Sequence, residues 1–438
     1  MTIRLLFLTF IAPAVLAQDN MTATNPESGW SIHFQQTTIG QKALPFRSPY
    51  EGTNSLSPRD SLRYSVTATL FLGARLWGGA EMYVNPELGG GSGISSTLGV
   101  AGFPNGETYR IGDPAPVVEI ARLFVRQSFN LGGAGDTTAI EDGLNQVSGA
   151  LPAHRLTITA GKFSIVDIFD DNRYSHDART QFMNWALMSA GAWDFPADTR
   201  GYTWGLALEY IRPEWSIRVS SVMVPREANG MPMDPHINEA HSETIELEIP
   251  YTLAALPGTL RLEGFHTLAH MGNYREAIDD TMYHLDITRT RAYGRSKSGL
   301  TLNLEQPLTK SAGLFMRAGW NDGKNETWAF TEIDRSLSAG VLIDGPFAAR
   351  PQDSFGAAIV LNGLSADHEE YLSRGGYGFL IGDGKLNYGL ETITELFYGW
   401  HATTFLALSA DYQFVVNPAY NRDRGPVHVM GFRVHVEL

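Results

Sequence analysis

A long run of alternating side chains constrains the fold of this chain more than any other feature. Between Ser61 and Trp77, the even positions carry apolar or aromatic side chains, whereas the odd positions include Arg63, Thr67 and Arg75. Successive side chains of a β-strand point to opposite faces, so the pattern predicts one strand with an apolar face and a polar face. Ordinary strands have about 5–6 residues. The segment therefore requires an architecture that uses much longer strands.

The same alternation recurs along the chain and predicts about 16 strands, an even number. The predicted strands are Gly29–Gly40, Ser61–Trp77, Glu81–Leu88, Val118–Asn130, Arg155–Ala160, Thr203–Tyr210, Trp215–Ser221, Thr244–Ile249, Thr259–Leu268, Leu300–Glu305, Leu314–Trp320, Leu337–Ile343, Phe355–Leu361, Leu386–Leu396, Thr404–Phe414 and Val427–Leu438. No sustained amphipathic helix competes with them.

The connections between these strands alternate in length, as they do in outer-membrane barrels. Short connections include Gly78–Ala80, which would place Trp77 opposite Glu81, and also Arg212–Glu214 and Pro307–Ser311. The long connections are Gln41–Asp60, Gly89–Val117, Ser164–Arg200, Pro225–His241, Ala269–Lys297, Asn321–Arg335 and Asn362–Lys385. The segment Leu131–Ala153 does not fit, because it stands where a short turn is expected.

Three architectures can use strands of this kind. A β-sandwich buries the apolar faces between two sheets, and a propeller shows a repeat of fixed period, which this sequence lacks. A membrane barrel turns the apolar faces to lipid and the polar faces to a wet lumen. Charges recur on the polar faces, as in Arg122/Arg126 and Arg261/Glu263. We therefore predict an all-β fold, a transmembrane antiparallel β-barrel with short periplasmic turns and long extracellular loops.

The first residues predict export. A positive charge in Met1–Arg4, an apolar run over Leu5–Leu16 and small residues before Gln18 are the layout of a signal peptide, which assigns 1–17 to the signal and 18–438 to a single barrel domain. The apolar run is shorter than the about 20 residues of a spanning helix. The chain contains 0 cysteines, which excludes disulfides and cysteine-based catalysis, and its net charge of -14 argues against nucleic acid as a partner.

Several long segments resemble the carbohydrate-selective porins of the OprB family. They are "SPYEGTNSL" (Ser48–Leu56), "TLFLGARLWGGAEMYVNPEL" (Thr69–Leu88), "LGVAGFPNGETYRIG" (Leu98–Gly112), "GKFSIVDIFDDNRYSHDARTQFMNWALMSAGAWDFPADTRGYTWG" (Gly161–Gly205) and "DYQFVVNPAYNRDRGPVHVMGFRVHVEL" (Asp411–Leu438). The resemblance covers nearly the whole mature chain and is vaguest over Pro225–Ser298.

The resemblance implies an outer-membrane porin of Gram-negative bacteria through which sugars and other small solutes diffuse passively. It also implies one loop folded into the lumen and a constriction lined by arginine, acidic and aromatic side chains. Small-molecule sugars and outer-membrane lipid are the implied partners. We predict neither a cofactor nor a metal. The apolar C-terminal strand resembles the signal by which outer-membrane barrels engage the barrel assembly machinery. A monomer and a trimer both remain open.

The chemistry of sugar passage selects candidate residues on the polar faces and in the long loop Ser164–Arg200. Arginine offers five fixed donors, carboxylates accept from hydroxyls, and aromatic rings cover the apolar face of a sugar. The pore-lining candidates are Arg75, Glu81, Arg122, Arg126, Asp170, Asp171, Arg173 and Trp193. We expect the Arg122/Arg126 row to face the loop and Arg126 to act together with Asp171. The alternative is that the charged side chains are only solvated on the lumen wall and take no part in selecting the solute. The loop side chains would then only hold the loop in place.

Other functions find less support. The sequence has no G-x-S-x-G, H-E-x-x-H or G-x-x-x-x-G-K-[ST] motif, so we predict that the protein is not an enzyme, although a barrel hydrolase built on a Ser/His pair stays open. The cluster "DIFDD" lacks the spacing of a calcium loop, although calcium binding by these carboxylates stays open. The alternatives to a sugar-selective channel are a broad-specificity porin without sugar preference and a secreted sugar-binding β protein.

Overall fold

Sixteen antiparallel strands close into one barrel. The computed structural model describes residues 29–108, 115–133, 135–280, 285–347 and 349–438. The predicted signal peptide, 1–17, lies outside the described residues. Within the described ranges, no helix is long and apolar enough to cross a membrane.

The strands are β1 (Trp30–Ala43), β2 (Arg63–Arg75), β3 (Ala80–Gly91), β4 (Val117–Asn130), β5 (Thr137–Ile140), β6 (Gly149–Pro152), β7 (Arg155–Phe163), β8 (Thr203–Ile211), β9 (Ser216–Met223), β10 (His241–Leu253), β11 (Leu256–Ala269), β12 (Arg295–Pro307), β13 (Ala312–Asn321), β14 (Arg335–Asp344), β15 (Ser354–Gly363), β16 (Glu391–His401), β17 (Leu406–Val416) and β18 (Val427–Glu437). Short helices in the connections are α1 (Trp185–Met188), α2 (Tyr274–Asp279) and α3 (Ala366–Ser373). The barrel strands are hydrogen-bonded in the order β1-β18-β17-β16-β15-β14-β13-β12-β11-β10-β9-β8-β7-β4-β3-β2. Each predicted strand overlaps one strand of the barrel, so the predicted fold is confirmed.

The two faces of β2 separate as the alternation predicts. Thr67, Thr69 and Phe71 are buried on the lumen side, whereas Tyr64 and Leu70 on the opposite face are 54% and 36% exposed. Pairing of β1 with β18 closes the sheet. Closure leaves no strand edge unpaired, which allows such a sheet to cross a membrane.

A β-bulge in β4 changes which positions face the lumen. The register between β3 and β4 shifts between Asn85 and Pro86, so Asn85 pairs with Arg122 and Pro86 pairs with Ile120. Ala121 is the extra residue, and it is buried at 2% exposure, whereas Ile120 is 43% exposed on the lipid side. A bulge moves the following side chains to the other face. The even positions of β4 therefore face the lumen on the periplasmic side of the bulge.

The periplasmic turn between β2 and β3 has the predicted length of three residues but lies one residue earlier in the chain. Arg75 pairs with Glu81 across the two strands, and the backbone N–H of Leu76 donates to the carbonyl of Ala80 at 2.9 Å. The turn therefore consists of residues 77–79. The expected pairing of Trp77 with Glu81 is wrong, because Trp77 lies within the turn.

The long segment Leu131–Ala153 forms a hairpin of its own at the periplasmic end. Its strands β5 and β6 pair only with each other, from Thr137 opposite Pro152 to Ile140 opposite Gly149. The barrel itself continues from β4 directly to β7. The segment that did not fit the alternation of short and long connections is thus an insertion, and the barrel topology is unchanged.

Helices α2 and α3 pack together in the extracellular loops around a buried histidine. His368 of α3 is 0% exposed, its Nδ1 lies 3.0 Å from Oδ2 of Asp334, and its ring stacks on Tyr274 at 4.3 Å. Burial lowers the pKa of His368, but the Asp334 carboxylate raises it more, so the net shift is upward. Burial raises the pKa of Asp334, yet the facing histidine brings it down to about 2.

The packed pair of helices α2 and α3 forms what we call the extracellular cap. These shifts predict a pH window for the stability of the cap. The raised pKa of His368 contributes stability that is present below about pH 6.5 and lost as pH rises through the folded value. The lowered pKa of Asp334 contributes stability above about pH 4 that is lost as pH falls toward 2. We expect limited proteolysis of the cap to be slow at pH 5.5 and faster at pH 9. The variant His368→Gln should abolish this difference, and equal protection of the native cap at both pH values would contradict the expectation.

Candidate solute constriction

The connection between β7 and β8, residues 164–202, folds into the lumen and is fixed to the opposite wall. Arg317 of β13 and Arg433 of β18 are each 1% exposed. Arg317 donates to Oδ1 of Asp170 at 2.8 Å and to the carbonyl of Leu187 at 3.0 Å. Arg433 donates to the carbonyl of Ala178 at 2.7 Å. The prediction of an inward loop is confirmed, and we call this segment the inward loop.

Carboxylates of the barrel wall bind the backbone of the inward loop. Glu395 of β16 accepts from the N–H groups of Met183 at 2.5 Å and Asn184 at 3.0 Å. Glu246 of β10 accepts from the N–H of Asp170 at 2.8 Å. A buried polar group is expensive without a partner, so these carboxylates satisfy the loop backbone and hold the loop in one position.

Aromatic rings fill the space behind the inward loop. The ring of Trp185 stacks on Phe330 at 4.3 Å and on Phe103 at 5.1 Å. Trp193 packs on Phe195 at 5.3 Å and is 1% exposed. The expectation that Trp193 contacts the solute is therefore wrong, because its ring is enclosed by the packing that supports the loop.

Asp170 is an anchor of the loop, and the expectation that it lines the pore is also wrong. Its side chain is 1% exposed and forms a salt bridge with Arg317, whose side chain is 2% exposed, at 2.8 Å. Its other oxygen accepts from the N–H of Ala190 at 2.8 Å. Both charges are thus removed from water and from any passing solute.

The variant Asp170→Asn should destabilise the folded barrel. It leaves the charge of Arg317 buried without a carboxylate, a change that costs about 3–5 kcal/mol at comparable sites. Urea unfolding followed by the loss of the heat-modifiable folded band would measure the difference. The control is Asp171→Asn, because the Asp171 side chain is 65% exposed and should tolerate the change. Equal stability of the two variants would show that Asp170 does not anchor the loop.

A narrow cavity of about 70 Å³ remains between the inward loop and the wall formed by β2 and β3. Arg179 of the inward loop reaches into this gap. Its Nη2 lies 3.1 Å from Oε2 of Glu87 in β3, and its Nε lies 3.0 Å from Oε2 of Glu107 in the connection between β3 and β4. A further bond to Oγ1 of Thr69 at 3.2 Å fixes the guanidinium against the wall.

A tyrosine and a second arginine complete the wall of this gap. The hydroxyl of Tyr202 donates to Oε1 of Glu87 at 2.9 Å. Arg122 of β4 pairs with Asp167 at 2.6 Å, and its guanidinium lies 5.2 Å from the centre of the Tyr202 ring. We call Glu87, Glu107, Arg179 and Tyr202 the constriction set.

The guanidinium of Arg179 stays charged near neutral pH. Burial lowers the pKa of Arg179, but the carboxylates of Glu107 and Glu87 raise it more, so the guanidinium stays charged. Burial raises the pKa of Asp198 at the rim to about 6. Its Oδ1 accepts from the N–H of Arg200 at 2.9 Å and from that of Tyr202 at 3.2 Å, which orients the end of the inward loop.

This arrangement offers a passing solute both kinds of hydrogen-bond partner within one narrow gap. Four of the five N–H donors of Arg179 bind Glu107, Gln35, Thr69 and Glu87, so one donor remains for a solute, and the two carboxylates keep acceptor lone pairs. A hydroxyl group can donate and accept, so it can exchange its bonds to water for bonds to this wall.

The other predicted residues lie elsewhere in the lumen. Arg122 borders the constriction set. Asp171 lies 3.7 Å from Arg261, and the joint action of Arg126 and Asp171 stays a prediction. The side chain of Arg173 is exposed, and its backbone N–H donates to Glu305 at 2.8 Å.

Arg75, Glu81 and Arg126 occupy the periplasmic end of the lumen. Arg126 donates to the carbonyl of Asn145 in the β5–β6 hairpin at 3.2 Å. The expectation that Arg126 faces the inward loop is therefore wrong, because the hairpin that the sequence pattern could not place stands in front of it. Arg75, Glu81 and Arg126 nevertheless share one register row, since Glu81 pairs with Arg75 on one side and with Arg126 on the other.

The sequence analysis did not identify the constriction set, although the alternation gives the direction of one of its members. Glu87 and Glu81 both occupy odd-numbered positions of β3, and both side chains therefore face the lumen. Arg179 and Glu107 lie in irregular connections, where no periodicity assigns a direction to a side chain. Tyr202 directly precedes β8, and its inward orientation depends on the path of the preceding loop.

Comparisons with known proteins identify the family and the fold. The sequence model described as "Carbohydrate-selective porin, OprB family" matches residues 53–438. Porin B of Pseudomonas aeruginosa is 25% identical over 232 residues, which are 49% of this chain and 50% of that protein, so the match spans about half of this relative. The high-pH structure of Pseudomonas putida OprB has a TM-score of 0.70 at 16% identity, covering 96% of this chain and 97% of that chain. Its low-pH structure has a TM-score of 0.50 at 15% identity, covering 94% and 93%.

The structural likenesses establish the fold, and the family match extends over most of the chain. Family and fold are those of porins, which are channels rather than enzymes. The protein is thus a β-barrel of the bacterial outer membrane, and it belongs to the OprB family of carbohydrate-selective porins.

Proposed function

We propose that this protein lets small neutral sugars diffuse passively across the outer membrane and that the constriction set selects them. The observation that carries the proposal is Arg179, held between Glu87 at 3.1 Å and Glu107 at 3.0 Å in the gap beside the inward loop. Because donors and acceptors stand on one narrow wall, a solute rich in hydroxyl groups can replace its hydration there. Binding has to stay weak for conduction to continue.

The proposal predicts an order of solute permeation that can be measured in liposome swelling. We expect hexoses to enter faster than disaccharides, because the gap is narrow, and faster than sugar acids of similar mass, because Glu87 and Glu107 repel carboxylates. A broad-specificity porin, the second candidate function, would pass a hexose, its sugar acid and an amino acid of similar size at similar rates. Equal rates for glucose and gluconate would therefore reject sugar selection in favour of that alternative.

The proposed partners follow from the exposed apolar faces of the barrel strands. The exposed apolar face of the strands, with Leu70 at 36% and Phe432 at 51% exposure, suits outer-membrane lipid. The terminal strand β18 presents Met430 and Phe432 on this face, in keeping with recognition of the last strand by the barrel assembly machinery. Crosslinking of a β18 peptide to that machinery in vitro, and its loss in a Phe432→Asp peptide, would test this assignment.

A further inference from the structure

The hairpin of β5 and β6 folds up into the barrel from the periplasmic side. At its tip, Gly143 and Gln146 bond to each other through both backbone N–H groups, each at 3.1 Å. The side chain of Asn145, next to this tip, accepts from Nδ2 of Asn85 at 2.8 Å. Asn85 lies within β3 and is 0% exposed. The tip of the hairpin therefore stands inside the lumen.

The hairpin also crosses the lumen laterally. Val147 is 3% exposed, and its N–H donates to the hydroxyl of Tyr83 in β3 at 3.3 Å. Asp142 lies 3.2 Å from Nε2 of His33 in β1. The hairpin starts between β4 and β7 and so passes β3 and β2 to reach β1. A solute that has passed the constriction set meets this second obstacle before it leaves the barrel.

Two arginines beside the hairpin keep donors that the protein does not use. Arg126 donates to the carbonyl of Asn145 at 3.2 Å, and Arg75 donates to the carbonyl of Ser148. In the described part of the chain, neither forms a salt bridge, although Glu81 stands in the same register row as both. Arg122 and Arg179, by contrast, are each fixed by carboxylates. Each guanidinium carries five N–H donors, so several remain for a ligand.

These groups surround a cavity of about 170 Å³ between the hairpin and the wall. Arg75, Trp77, Glu81 and Arg126 line one side, and Gln146 and Leu151 of the hairpin line the other. The indole of Trp77 is 64% exposed, and its Nε1 donates to Gln127 at 2.7 Å. The cavity thus combines free cationic donors, a carboxylate acceptor and an aromatic face.

We propose that this cavity is a second, exit-side subsite for small hydroxylated ring solutes, built by the periplasmic hairpin below the constriction set. The inference rests on the proposed sugar passage and adds a binding step to it. Arg122 and Arg126 lie four residues apart in β4, which separates the two levels by about 13 Å. Two weak sites in series allow a solute to leave the first while the second replaces its hydration, which favours conduction over trapping.

Glucose-induced current noise in single channels tests the exit subsite. Glucose is added to one side at a time, and the association rate is determined for each side. Trp77→Ala and Arg126→Gln should lower the association rate from the periplasmic side about fivefold. Arg179→Gln should instead alter the rate from the extracellular side. The matched control is Arg212→Gln, because Arg212 lies in the periplasmic turn between β8 and β9 and pairs only loosely with Glu214 at 3.9 Å.

Trp77→Ala separates solute binding from anchoring of the hairpin. The bond of Trp77 is to Gln127 of β4, so its loss leaves the hairpin bonds of Arg75 and Arg126 intact. If only Arg126→Gln changes the periplasmic rate, the arginine merely holds the hairpin, and the exit subsite is wrong. Unchanged rates in both variants would also overturn it. If only Arg179→Gln changes the association rate, the constriction is supported and the exit subsite is wrong. If only Trp77→Ala and Arg126→Gln change it, the exit subsite is supported and the constriction is wrong.

Discussion

Arg179→Gln should make the channel cation-selective and weaken glucose block about tenfold. The substitution removes the positive charge between Glu87 and Glu107, whose carboxylates lie 3.1 and 3.0 Å from the guanidinium, and leaves two negative charges in the gap beside the inward loop. Charge-assisted hydrogen bonds of this type contribute about 1.5–3 kcal/mol, which corresponds to a tenfold or larger change in binding. The reversal potential in a salt gradient and the glucose dependence of the single-channel current measure both effects.

Arg179→Lys provides the matched control for charge. Lysine keeps the positive charge but loses the planar fork that can donate to Glu87 and Glu107 together. We expect this variant to keep the ion selectivity of the native channel and to lose part of the glucose block. A native reversal potential and native block in Arg179→Gln would show that Arg179 does not control the passage.

Leu70→Arg should destabilise the barrel by about 2–4 kcal/mol. Leu70 lies near the middle of β2, faces lipid and is 36% exposed, so an arginine there would place a charge in the hydrocarbon layer. Urea unfolding in lipid vesicles would measure the loss. The depth control is Leu62→Arg, since Leu62 lies just outside β2 at the extracellular rim and is 63% exposed. We expect that variant to cost about 0–1 kcal/mol, and equal costs at both positions would contradict the assignment of this face to the membrane interior.

The barrel could be predicted because its strands are long and their periodicity is simple. The alternation in β2 fixes both the existence of the strand and the side that each residue faces, since the period of side-chain direction is two. The alternation does not show which lumen-facing residues the inward loop covers. Thr69 shares the polar face of β2, yet it is 0% exposed and bonds to Arg179, because the inward loop covers this part of the wall.

The candidate site could be predicted only in its chemistry. The residue types are arginine, carboxylate and aromatic side chains, as the requirements of sugar passage and the family resemblance indicated. The roles of Asp170 and Trp193 were misassigned, since both lie in an irregular loop whose direction depends on wall residues such as Arg317, far away in sequence. The β5–β6 hairpin separates Arg126 from the inward loop. No local sequence pattern predicts that a periplasmic insertion folds into the lumen.

A cysteine at position 67 offers the most direct test of where the passage is narrowest. Thr67 of β2 lines the gap beside Arg179, and its hydroxyl donates to Glu107. Val66 is its neighbour on the lipid face, and the native chain has 0 cysteines to interfere. A membrane-impermeant thiol reagent should abolish most of the single-channel current of Thr67→Cys and leave the current of Val66→Cys unchanged. Full current in modified Thr67→Cys, or block in Val66→Cys, would contradict the constriction at Arg179.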